Sequence, residues 1–82
     1  MKNKVYLARI SSMSAEIDMA DVFASFDAAA AMIEKVLSES QDIKSQGGCE
    51  VLGFSFNEGG VYGAQLQTEA MIEKVYIKEY SF

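Results

Sequence analysis

The sequence predicts an α+β domain, a small antiparallel sheet of four to five strands with one main helix packed on one face, in the order β-β-α-β-β-β. Three observations predict it. Two glycine pairs, Gly47-Gly48 and Gly59-Gly60, bracket a segment in which apolar residues alternate from Leu52 to Phe56. An alanine-rich stretch from Phe26 carries apolar residues at helical spacing. The C-terminal Val75-Tyr76-Ile77-Lys78-Glu79-Tyr80 is dense in β-branched and aromatic residues, which suit a pleated surface.

Taking the elements in order, Lys4 to Ser11 reads as a first and central strand carrying Val5, Tyr6, Leu7 and Ile10, with Ser11 to Ala15 as its turn. Glu16 to Ala24 fits two patterns. Met19 and Phe23 extend the helical stripe backwards, yet Ile17, Met19 and Phe23 also suit a strand with an irregularity at Asp21. A single helix from Ala15 to Glu39 would run about 37 Å, long for a domain of this size, so a short strand ending at Phe23 is preferred. The helix then begins at Phe26, with Phe26, Ala30, Ile33 and Leu37 as its apolar stripe and Ser25 or Asp27 as N-cap. It ends near Gln41, in the polar stretch before Gly47.

The firmest strand runs from Cys49 to Glu58, where Leu52, Phe54 and Phe56 alternate with Gly53, Ser55 and Asn57. A three-residue turn, Glu58-Gly59-Gly60, would pair Phe56 with Tyr62, Phe54 with Ala64 and Leu52 with Leu66, placing every apolar side chain on one face. Val61 to Gln67 is its partner strand. The hexapeptide Ala-Met-Ile-Glu-Lys-Val occurs at Ala31–Val36 and again at Ala70–Val75. The flanks differ, so this is chance similarity rather than a repeat, and the second copy is assigned to a last strand. The rival is a C-terminal helix through Ile72, Tyr76 and Tyr80.

Composition narrows the function. Eighty-two residues amount to one domain, 1–82, and half of them are hydrophobic, which argues against disorder. One cysteine, Cys49, rules out an intrachain disulfide and suits a reducing compartment. The apolar run Val5–Ala8 is too short for a signal segment or membrane span, so a cytoplasmic location is expected. Net charge is −5, with the bases scattered at Lys2, Lys4, Arg9, Lys35, Lys44, Lys74 and Lys78. Direct nucleic-acid binding needs a concentrated positive surface and is not expected.

Catalytic chemistry has little to work with. No histidine is present, which removes the common proton shuttle and the imidazole metal ligand, and Cys49 has no base to activate it. The glycine pairs lack the lysine and helix start of a phosphate loop and read as turns. No enzyme activity, cofactor or metal is therefore expected. Glu16, Asp18, Asp21 and Asp27 lie in a stretch without a single base, from Ile10 to Ile33, and form a candidate acidic docking patch. Tyr62, Tyr76 and Tyr80 are candidate interface anchors. One helix covers one face of a sheet, while apolar residues such as Val51 and Val61 fall on the other, which predicts a homodimer or a bound protein partner.

The run Val22-Phe23-Ala24-Ser25-Phe26-Asp27-Ala28, leading into an alanine-rich helix, and the ending Val75–Tyr80 resemble small phage and prophage α+β proteins. That broad group includes anti-CRISPR and other anti-defence inhibitors, which are likewise short, acidic and poor in catalytic residues. The resemblance implies an interaction module that inhibits a larger protein, through a basic or nucleic-acid-binding surface of that partner, with Glu16, Asp18, Asp21, Tyr62, Tyr76 and Tyr80 as the contact residues. The alternative is a small-ligand-binding or regulatory homodimer with its site between subunits.

Overall fold

A computed structural model describes residues 3–82; Met1 and Lys2 lie outside them. The elements are β1 (Lys4–Ser12), β2 (Ile17–Phe23), α1 (Phe26–Glu39), α2 (Gln41–Ser45), β3 (Cys49–Asn57), a 3-10 turn (Glu58–Gly60), β4 (Val61–Thr68) and β5 (Lys74–Ser81). The strands form one antiparallel sheet in the order β2-β1-β5-β4-β3. Two local hairpins, β1-β2 and β3-β4, are thus joined through the last strand. The central place expected of the first strand belongs to β5, with β1 beside it. The second element is the strand Ile17–Phe23, and its pairing with β1 is continuous, without the irregularity expected at Asp21. Asp21 shares the parity of Met19 and Phe23 but is exposed, so the break lies in polarity and not in the backbone.

α1 connects the two edge strands and crosses one face of the sheet, packing on β1, β2, β3 and β5. Ser25 caps it, its hydroxyl accepting from the Ala28 amide at 3.1 Å, and Asp27 sits favourably in the first turn. Its fully buried residues are Ala29, Ile33 and Leu37, with Phe26 and Ala30 flanking, so the stripe lies one position away from that expected at Ala30. Beneath it Ala8, Ile10 and Ile77 are fully buried. A four-residue aromatic group closes one end, where the Phe26 ring meets Tyr6, Phe54 and Tyr62 edge-on at centroid distances of 6.1, 5.5 and 4.9 Å.

The polar stretch after α1 holds a helix that the sequence reading missed. Ser40 leaves helical geometry at ψ 119° and its hydroxyl accepts from the Ile43 amide at 3.3 Å, starting α2 and driving Ile43 fully into the core. The Gly48 amide then closes the turn on the Ile43 carbonyl at 2.9 Å. Both Gly47 and Gly48 have positive φ, as this reversal requires.

The β3-β4 hairpin has the expected three-residue turn, with Asn57 opposite Val61, Phe56 opposite Tyr62 and Phe54 opposite Ala64. Beyond Gly53 the register shifts. A bulge sets Val51, not Leu52, opposite Leu66, and Leu52 is extruded with 60% of its surface exposed. Val51 therefore joins the helix-covered face, contrary to its expected place on the other side. The bulge turns Cys49 inward as well, so both ends of β3 feed the core. Residues 74–81 form the last strand, excluding the rival helix, but Ala70–Glu73 of the second hexapeptide copy belongs to the connection before it. That connection is fastened by Ser12, whose buried hydroxyl donates to the Met71 carbonyl at 2.7 Å and accepts from the Ala15 amide at 3.3 Å.

Candidate partner-binding surface

Strand parity divides the sheet. Tyr6, Ala8, Ile10 and Ser12 of β1 face the helix, so Val5, Leu7, Arg9 and Ser11 face the other way. Pairing carries that division across the sheet. Leu7 lies level with Val22 of β2 and Lys78 of β5, Arg9 with Ala20 and Tyr76, Ser11 with Asp18 and Lys74, and Val5 with Tyr80. Among the described residues no element covers this open face. Val22 keeps 62% of its surface exposed and Tyr80 42%, with Val5, Leu7, Val61 and Tyr76 half-buried around them.

The expected contact residues fall in three places. Glu16, Asp18 and Asp21 all lie on or beside the edge strand β2, but they do not point together. Glu16 occupies the β1-β2 turn at φ 55°, Asp18 is on the open face, and Asp21 is on the helix side of the edge. Tyr76 and Tyr80 share the open face on the central strand. Tyr62 points the opposite way and packs against Phe26 and Phe56, at centroid distances of 4.9 and 5.0 Å. Its parity on β4, equivalent to that of Ile77, separates it from the other two tyrosines.

Charge on the open face differs from that of the chain as a whole. It carries Arg9, Lys74 and Lys78 along β1 and β5, while its acids, Asp18 and Glu50, stand on the two edge strands. The Arg9 guanidinium meets an Asp18 carboxylate oxygen at 2.7 Å and donates to the Met19 carbonyl at 3.1 Å, yet the Asp18 side chain remains 81% exposed. The Lys78 ammonium lies over the Tyr80 ring, 5.0 Å from its centre. The sequence reading did not single out Val22, Leu7, Arg9 or Lys78. Alternation along β1 and β5 was a usable signal for Leu7, Arg9 and Lys78 once Ile10 and Ile77 set the parity, and Val22 follows from its pairing with Leu7.

A second feature is an open cleft lined by Gly47–Glu50 and Gln67–Glu69, at the end of the β3-β4 pair. Burial pushes the Cys49 thiol above its ordinary pKa, partly offset by its hydrogen bond with Thr68. It is therefore protonated at neutral pH and a poor nucleophile. The Thr68 hydroxyl is already engaged with the Gly48 carbonyl at 2.8 Å. Among the described residues no group of three or more carboxylates or thiols could hold a metal ion, and no helix is long and apolar enough to cross a membrane. Compared with protein-family models, curated proteins and solved structures, the chain matches none of them.

Proposed function

We propose that this chain is a non-enzymatic interaction module, an inhibitor of the phage anti-defence kind that binds a larger protein. The observation that carries the reading is the acidic edge strand β2, with Asp21 and Asp18 exposed on its two sides and Glu16 exposed in the turn before it. An edge strand offers free backbone groups as well as charge, and exposed carboxylates there attract a basic surface at long range. A target's nucleic-acid-binding groove has that character, and occupying it blocks the groove without any chemistry. The protonated Cys49 thiol and the absence of histidine support a binding role over a catalytic one.

The test is affinity capture from cell extract with mass spectrometry, followed by titration of the captured protein against a Glu16→Lys, Asp21→Lys double variant. These changes leave the Arg9–Asp18 pair in place. A stoichiometric larger partner is expected, with affinity reduced at least tenfold at low salt by the reversal and a flatter salt dependence. An unchanged affinity, or no stoichiometric partner, would refute the reading.

A further inference from the structure

We infer that the open face is covered by a second copy of this chain, in a two-fold dimer whose axis runs along β1. Two sheets packed face to face keep their strands within about 30° of each other, so levels across the sheet are approximately preserved when the axis follows the strand direction. The placement of the axis is decided by charge. An axis along the central strand β5 would bring Lys74 and Lys78 of both copies together, while the acids of the face, Asp18 and Glu50, stand two strands away on the edges. Moving the axis to β1 exchanges β2 with β5. Asp18 of one copy then lies over Lys74 of the other, since both are level with Ser11.

The same rotation matches sizes. Ala20, small and exposed, faces Tyr76 of the second copy, because both are level with Arg9. Val22 faces the aliphatic stem of Lys78, whose charge is already drawn over Tyr80. Leu7 meets Leu7 on the axis. Arg9 also meets its copy, but each guanidinium is neutralised by its own Asp18, and the exposed side of that carboxylate is free to take Lys74. Each match is made twice in the dimer.

The area places the contact in a size class. Three strands about 4.8 Å apart and about 27 Å long cover roughly 400 Å² in plan, against about 800 Å² per partner in a standard interface. An interface of about half the standard size belongs to the weak, transient class, so a dimer that forms only at high protein concentration is expected. This inference does not depend on the inhibitor reading.

Sedimentation equilibrium of the full chain tests it. The wild type should dimerise, and Lys74→Glu, which sets Glu against Asp18 of the other copy, should weaken the dimer at least tenfold. Combining it with Asp18→Lys re-forms the crossed pairs with reversed sign but leaves Arg9 without its counter-charge, so the double variant should dimerise more tightly than Asp18→Lys alone and less tightly than the wild type. Lys74 and Asp18 are exposed, so these variants keep the fold. Ala20→Arg, also at an exposed site, should abolish the dimer, and Leu52→Ser on β3, outside the contact, should leave it unchanged. A wild-type monomer at millimolar concentration would overturn the inference, as would a dimer indifferent to Lys74→Glu and Ala20→Arg. A monomer that still captures a larger protein would overturn it while leaving the proposed function standing.

Discussion

Replacing Val51 and Leu52 one at a time by alanine separates the bulged register from the regular one by free energy. In an unbulged ladder Leu52 would oppose Leu66 beneath the helix, and Leu52→Ala would delete a core side chain at a cost of about 2–5 kcal/mol. In the structure Leu52 is 60% exposed and Val51 occupies that place against the core. Truncating Val51 removes two methyl equivalents worth about 0.8 kcal/mol each at full burial, so about 1 kcal/mol for a half-buried side chain. Leu52→Ala should cost less than about 0.5 kcal/mol, as other exposed substitutions do. For a domain of this size 1 kcal/mol moves Tm by roughly 4–8 °C, so Val51→Ala should melt several degrees below wild type and Leu52→Ala almost with it. Thermal unfolding followed by far-UV circular dichroism measures both shifts, and urea unfolding gives the free energies. A Leu52→Ala variant less stable than Val51→Ala would refute the bulge and the inward turn of Cys49 that follows from it.

Two further outcomes follow from the same hairpin and the residue beneath it. Gly59 and Gly60 both have positive φ, but a Cβ on Gly60 would lie 3.1 Å from the Glu79 backbone carbonyl, while Gly59 has open space. Gly60→Ala should therefore lower the urea midpoint clearly more than Gly59→Asn, since asparagine tolerates the left-handed region; equal losses would show that the β5 contact is unimportant. Burial raises the Cys49 pKa in the folded state, so the stability linked to it is complete below the unfolded-state thiol pKa and is lost as pH rises through the folded value. Relative to Cys49→Ser, the wild type should lose stability only in the alkaline range, and its alkylation at neutral pH should be slow; a thiol that reacts faster than a free one at pH 7 would contradict this.

How much was legible before the fold differed element by element. The α+β class, the strand Ile17–Phe23, the helix start at Phe26, the three-residue turn at Glu58–Gly60 and the strand character of Val75–Tyr80 were all readable, because each rests on a local pattern: parity, helical spacing, a cap or a glycine. α2 was hidden because a single buried Ile43 among polar residues has no period, and only the Ser40 cap announced it. The bulge at Leu52 was hidden for a related reason. Alternation predicts Leu52 inward, and local sequence carries no preference for Val51 until Leu66 and the helix define the space to be filled.

For the surface the division falls in the same place. The sequence by itself determined that Glu16, Asp18 and Asp21 would crowd one basic-free segment and that apolar residues would exceed what one helix can cover. Only the tertiary structure decided which residues share a surface. Insertion of β5 between β1 and β4 set Lys74, Tyr76, Lys78 and Tyr80 beside Val5, Leu7 and Arg9, and sent Tyr62 to the opposite side. Strand order and cross-strand level are non-local, fixed by how residues far apart in the chain bury their inward neighbours Ala8, Ile10 and Ile77, and a side chain on the outward face inherits its companions from that burial.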